Sequence, residues 1–117
     1  PRVDLKSSAH CIVELARVLA LANGLPAVNT LDRLQAAAAT EAIAADTENG
    51  LRDAFELITY LRLRHQARQV AAGLTPDNQL DPDDLSSLEK KHLRDAFGII
   101  KRAQQGFAYR YQTHLMS

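Results

Sequence analysis

The stretch Leu51–Gln69, LRDAFELITYLRLRHQARQ, decides how this chain is read. It holds neither Gly nor Pro, and most of its residues are good helix formers. With Leu51 at zero and 100° per residue, Ala54, Phe55, Ile58 and Leu61 fall within about 80° of it. These residues define a core-facing stripe. Carried further, the same count puts Arg62, His65, Gln66 and Gln69 on that face, whereas Arg64 and Arg68 point elsewhere. The helix therefore exchanges Leu and Ile for four long polar side chains without stopping.

Buried polar groups cost about 1–3 kcal/mol each when unpaired, so this exchange needs a physical reason. One reading is that the bundle opens at this end, or that Arg62 pairs with a carboxylate such as Asp4 or Asp95 as a clamp. A second is a cleft lined by donors. The planar fork of Arg62 suits phosphate or carboxylate, with His65, Gln66 and Gln69 reaching neighbouring oxygens. A third is a surface for a partner domain. The opening VDLK, residues 3–6, bears on the same question. It reads either as a strand-like lead-in with solvated Asp4 and Lys6, or as a facing element from which Lys6 joins the basic cluster.

Outward from this stretch, the periodicity predicts an all-α fold, a four-helix bundle or close variant with mostly antiparallel neighbours. The first helix is expected from about Ser8 to Asn23, with Ile12, Leu15, Ala16 and Leu19 on one stripe. Val13, Val18 and Leu21 lie off that stripe, as in a central helix or one covered by another domain. Asn23-Gly24 and Pro26 end it. The second is expected to start at NTLDRL, capped by Asn29 or Thr30, and to reach about Thr40. A turn near Glu41–Ile43 precedes the third, from about Ala45 to Ala72. Gly73 and the loop LTPDNQLDPDDL follow. The fourth opens at a Ser86–Glu89 capping box and continues to about Leu115. Leu93, Phe97, Ile100, Phe107 and Tyr111 share its stripe. Gly98 and Gly106 inside it are unfavourable for a helix and suggest close approach of another helix.

The 117 residues suit a single domain, 1–117. The sequence begins without Met or an apolar leader, and we expect a C-terminal fragment of a longer multidomain protein. Fourteen basic residues balance fourteen acidic ones, which argues against nonspecific attraction to nucleic acid or anionic membranes. No apolar run approaches the roughly 20 residues that span a bilayer. The single Cys11 excludes an internal disulfide, fits a cytoplasmic, reducing compartment, and reads as inert core.

Catalytic signatures fail one by one. The helix SSAHCIVELARVLALANG, residues 7–24, places His10 as a phosphotransfer histidine would be placed, but Val13 and Glu14 stand where Lys and Gly are expected. Arg110 and His114, or Arg64 and His65, do not have the spacing of the helical ribonucleases. No metal-ligand spacing, EF-hand order, Gly-rich phosphate loop or activated nucleophile occurs. The Gly-Ser and Asp-x-Asp elements that hold magnesium in nucleotidyltransferases are also missing, so this segment alone is not expected to catalyse.

Four segments in order resemble one family: VDLK (3–6), NTLDRL (29–34), LRDAFELITYLRLRHQ (51–66) and DPDDLSSLEKKHLRDAF (81–97). Together they resemble the nucleotidyltransferase substrate-binding domain. That domain occurs at the C-terminus of bacterial proteins that also carry cyclic-nucleotide-binding-like, CBS and nucleotidyltransferase domains. The chain departs from the family at Ser7-Ser8-Ala9, where a basic residue and glycines are usual. The resemblance implies an all-helical accessory domain that forms one wall of a catalytic cleft and holds a nucleotide or acceptor substrate. It implies substrate-binding roles for Arg62, Arg64, His65 and Gln66, with Asp4 and Lys6 from the first motif. No cofactor is expected in this segment; a nucleoside triphosphate and Mg are expected for the parent enzyme. The partner implied is the nucleotidyltransferase domain of the same parent chain. The alternative is a structural or regulatory bundle, dimerising through the apolar face of the first helix.

Overall fold

The computed structural model describes the backbone of residues 2–116 and the side chains of residues 2–110. Four helices dominate it: α1 (Leu5–Ala22), α2 (Thr30–Ala39), α3 (Ala45–Ala71) and α4 (Ser87–Met116). Strand β1 (Val3–Asp4) precedes α1 and pairs antiparallel with β2 (Gln79–Leu80), Val3 opposite Leu80. A 3-10 turn, Pro82–Asp84, leads into α4. The architecture is the all-α four-helix bundle that the periodicity predicts, and among the described residues no helix is long and apolar enough to cross a membrane.

The helix ends follow local chemistry. Helix α1 begins three residues before the expected Ser8, because Asp4 caps it. Its carboxylate accepts from the Ser7 amide at 3.1 Å and the Ser7 hydroxyl at 3.0 Å, and the Ser8 hydroxyl donates to the Asp4 carbonyl. Ser7 and Ser8, the departure from the family pattern, therefore build a helix start. At the other end the Asn23 side chain donates back to the Leu19 carbonyl, and Gly24 takes the left-handed conformation that closes the turn. Asn29 caps α2 by accepting from the Asp32 amide at 2.9 Å. Ser86 and Glu89 form a reciprocal capping box at α4: each backbone amide donates to the other's side chain.

Helix α1 is a central helix, packed on by α2, α3 and α4, as α3 is by α1, α2 and α4. Its Leu5, Ile12 and Ala16 are fully buried, against Leu34 and Ala37 of α2, Leu51, Ala54, Ile58 and Leu61 of α3, and Leu93, Ala96 and Ile100 of α4. Phe55, expected in the core, and Cys11 are half-buried at its margin. Tyr111, expected on the inner stripe of α4, has its side chain outside the described residues. The close helix approach lies at Gly50 rather than Gly98 or Gly106: a Cβ at Gly50 would stand 3.2 Å from Ile99 Cγ2. One at Gly98 would meet only the Arg102 guanidinium, and one at Gly106 would meet nothing within 4 Å.

Ile58 is completely buried where α3 meets this core. Ile58→Ala is expected to lower the unfolding free energy by about 2–5 kcal/mol, read by urea denaturation. A loss under about 0.5 kcal/mol would mean that α3 does not pack on this face.

Candidate functional site

The polar continuation of α3 grips the segment that follows it. Arg62 Nε donates to Asn78 Oδ1 at 2.6 Å, and Gln66 Nε2 donates to the same oxygen at 3.1 Å. The Gln66 amide also reaches the Asp77 carbonyl. His65 Nε2 donates to the Asp77 carboxylate at 2.8 Å, and Gln69 Oε1 accepts from the Asp77 amide at 2.8 Å. Asn78 in turn accepts the Leu5 amide on its carbonyl, at 2.9 Å, where α1 begins. Arg62 thus finds a neutral carboxamide in place of the Asp4 or Asp95 partner considered from sequence. The hydrogen bond from His65 is the first of several that hold the Asp77 carboxyl below its ordinary range.

Arg64, which points away from the core stripe, forms a two-pronged pair with Glu89; its Nη2 lies 3.0 Å from Oε1. The same guanidinium lies over the Tyr60 ring, 5.4 Å from its centroid. Glu89 therefore serves both the cap of α4 and Arg64, and its carboxyl is pushed down to about 2, first by Arg64 and then by the Ser86 amide. Asp4, fixed as the cap of α1, sits opposite Gln79 in the strand pair. Lys6 is exposed on the first turn of α1, with no partner among the described residues. The structure brings Arg62, His65, Gln66, Gln69 and Asp4 together around residues 77–79 and leaves Lys6 outside that network.

Beside the network lies an open hollow of about 370 Å³. Leu61, Leu74 and Leu80 give it apolar walls, and Arg64, His65 and Gln69 show it their edges. Two further cations border it, Arg2 and Arg68, and Asp84 is the acidic member. Arg2 and Arg68 are exposed, and their guanidinium groups have no ion-pair or hydrogen-bond partner among the described residues. Sequence reasoning missed both. The angular count placed Arg68 off the core stripe, where the flank of a cleft would be, and Arg2 lay just before the VDLK motif. Among the described residues no group of three or more His, Cys, Asp or Glu side chains is placed to hold a metal ion.

Two outcomes check this geometry. Asn78→Ala leaves the Arg62 and Gln66 donors without their shared acceptor and is expected to cost about 1–3 kcal/mol in chemical denaturation. Glu89 titrates lower in the folded chain than in the unfolded one, so the unfolded state binds more protons in acid. Its contribution is complete above pH 4.5, the ordinary carboxyl value, and is lost as pH falls toward about 2. Glu89→Gln should flatten the pH dependence of stability across that window; an unchanged slope would remove Glu89 as its source.

No curated protein and no solved structure matches this sequence. A family model does, over residues 1–111, and it covers the central helix, the gripped loop and the hollow alike. The chain belongs to the family described as "putative nucleotidyltransferase substrate binding domain".

Proposed function

We propose that the hollow receives the phosphate-bearing part of a nucleotide or of a nucleotide acceptor. The domain then forms one wall of a cleft whose other wall is the nucleotidyltransferase domain of the same polypeptide. The observation that carries this reading is the pair of unpartnered guanidinium groups, Arg2 and Arg68, at the rim of an apolar-walled hollow. Guanidinium forks match phosphate oxygens, and neither group must first break an internal pair. Arg64, His65 and Gln69 complete the rim, already oriented by Glu89 and Asp77. Arg62, Gln66 and Asp4 act one step back, fixing the loop and β1.

In this reading the nucleoside triphosphate and Mg are held by carboxylates of the catalytic domain, and this bundle supplies binding rather than chemistry. An exposed apolar stripe on α3 suits contact with that domain: Tyr60, Leu63 and Val70 are each more than half exposed, and Leu74 carries the stripe to the hollow. The parent would be a cytoplasmic bacterial enzyme regulated by cyclic-nucleotide-binding-like or CBS modules. One observation favours the second reading, a structural or regulatory bundle that self-associates: the side chains of Arg62, His65 and Gln66 donate to residues 77–78, and that of Gln69 accepts from the Asp77 amide.

Titration of the chain with ATP, followed by backbone amide NMR, separates the two. Binding in the hollow shifts residues around Arg2, Arg68 and Leu74. Paired Arg2→Ala and Arg68→Ala substitutions then weaken it about tenfold or more, from the value of a charge-assisted hydrogen bond, with thermal stability unchanged. Absence of shifts at millimolar ATP, or binding indifferent to both arginines, favours the structural reading, and light scattering then tests for a dimer.

A further inference from the structure

A second, larger cavity lies toward the other end of α3, about 520 Å³ in volume, between α1, α3 and α4. From Leu51 to Leu61 the helix advances about 15 Å, so this cavity is separate from the basic hollow. Its floor is the core itself: Leu15 and Leu19 of α1 and Leu51 of α3, all at least nine-tenths buried. Its α4 side is a single stripe, Ile99, Ala103, Gly106 and Arg110, with Arg102 and Phe107 on the flanks.

Gly106 lies within that stripe, about 30° from its centre at 100° per residue and between Ala103 and Arg110 along the helix axis. Yet a Cβ built there meets no heavy atom within 4 Å. Glycine in a helix interior is about 1 kcal/mol less favourable than alanine, and no packing requirement of the bundle demands it here. Its effect is to leave the middle of the cavity wall bare. The cations at the mouth differ. Arg110 Nη1 donates to the Ala42 carbonyl and ties α4 to the α2–α3 turn. Arg102 is exposed and has no partner among the described residues.

We propose that this cavity is a binding site for a small amphipathic organic anion, with a planar apolar body and one carboxylate, sulfonate or phosphate group. The body would lie against Leu15, Leu19 and Phe107 in the space that Gly106 leaves, and the anionic group would pair with Arg102. The charge balance supports the sign: two guanidiniums border the cavity against the single carboxylate of Asp46. The site shares no lining residue with the basic hollow.

The probe is 8-anilinonaphthalene-1-sulfonate, an apolar ring system with one sulfonate, compared with its uncharged parent N-phenyl-1-naphthylamine. Both are titrated into the folded chain, with fluorescence and amide NMR as readouts. The expected result is saturable binding of the sulfonate whose shifts cluster at residues 15–19, 43–51 and 99–110. Arg102→Gln should weaken it about tenfold, as loss of a charge-assisted contact does, without changing the melting temperature. Gly106→Leu fills the space and should abolish binding while the chain stays folded. Gly106→Ala, a milder filling, should raise the melting temperature and keep weakened binding. The proposal is overturned if the uncharged compound binds equally well, if Arg102→Gln binds unchanged, if the shifts gather around Arg2 and Arg68, or if no saturable binding is seen at millimolar probe.

Discussion

The carboxamide of Asn78 is the contact on which the end of the bundle depends. Its oxygen accepts from Arg62 and from Gln66, while the backbone carbonyl of the same residue accepts from the first amide of α1. One residue in a loop thereby joins the end of the α3 core stripe to the start of α1. Without it, the polar residues of α3 would sit beside a core they cannot enter, and the segment from Gly73 to Leu80 would lose its tether. A neutral acceptor is well suited to this place. A carboxylate there would pair with Arg62 but would itself have to be desolvated next to the fully buried Leu5.

That arrangement divides α3 into two chemistries. Its first half packs: Leu51, Ala54 and Ile58 face α1 and α4. Its second half organises polar groups, some of which satisfy one another while others remain available. Arg62 and Arg64 are engaged, by Asn78 and by Glu89; Arg68, a turn further on, is not. Three arginines of one helix therefore differ in role because of what the loop and α4 present to them.

Much of the fold was legible in the sequence because it rests on local periodicity. The stripe Leu51, Ala54, Ile58 and Leu61 is the buried face of α3, and Ser86–Glu89 is a capping box. The start of α1 was misplaced because Asp4 looked like a charge in a strand lead-in; its role depends on Ser7 and Ser8 folding back onto it. The polar continuation of α3 stood out by residue type, but its partners at residues 77 and 78 come from a tertiary contact that no spacing encodes. Arg68 and Arg2 were missed because a count of one core face does not see what borders it. Gly106 drew notice by its helix propensity, yet a Cβ there would face open space rather than a neighbouring helix.

The two-residue ladder of β1 and β2 joins positions 77 apart in sequence, Val3 to Leu80, and so closes a ring that contains α1, α2 and α3. Contacts of such wide separation become affordable only after the intervening helices have already assembled. The ladder is only two residues long, and what holds it besides its hydrogen bonds is Leu80, buried in the core with Val3 packed against that core. The wall that carries Arg2 and Leu80 thus hangs on a pairing across most of the chain, and the hollow keeps its shape only while that clasp is shut.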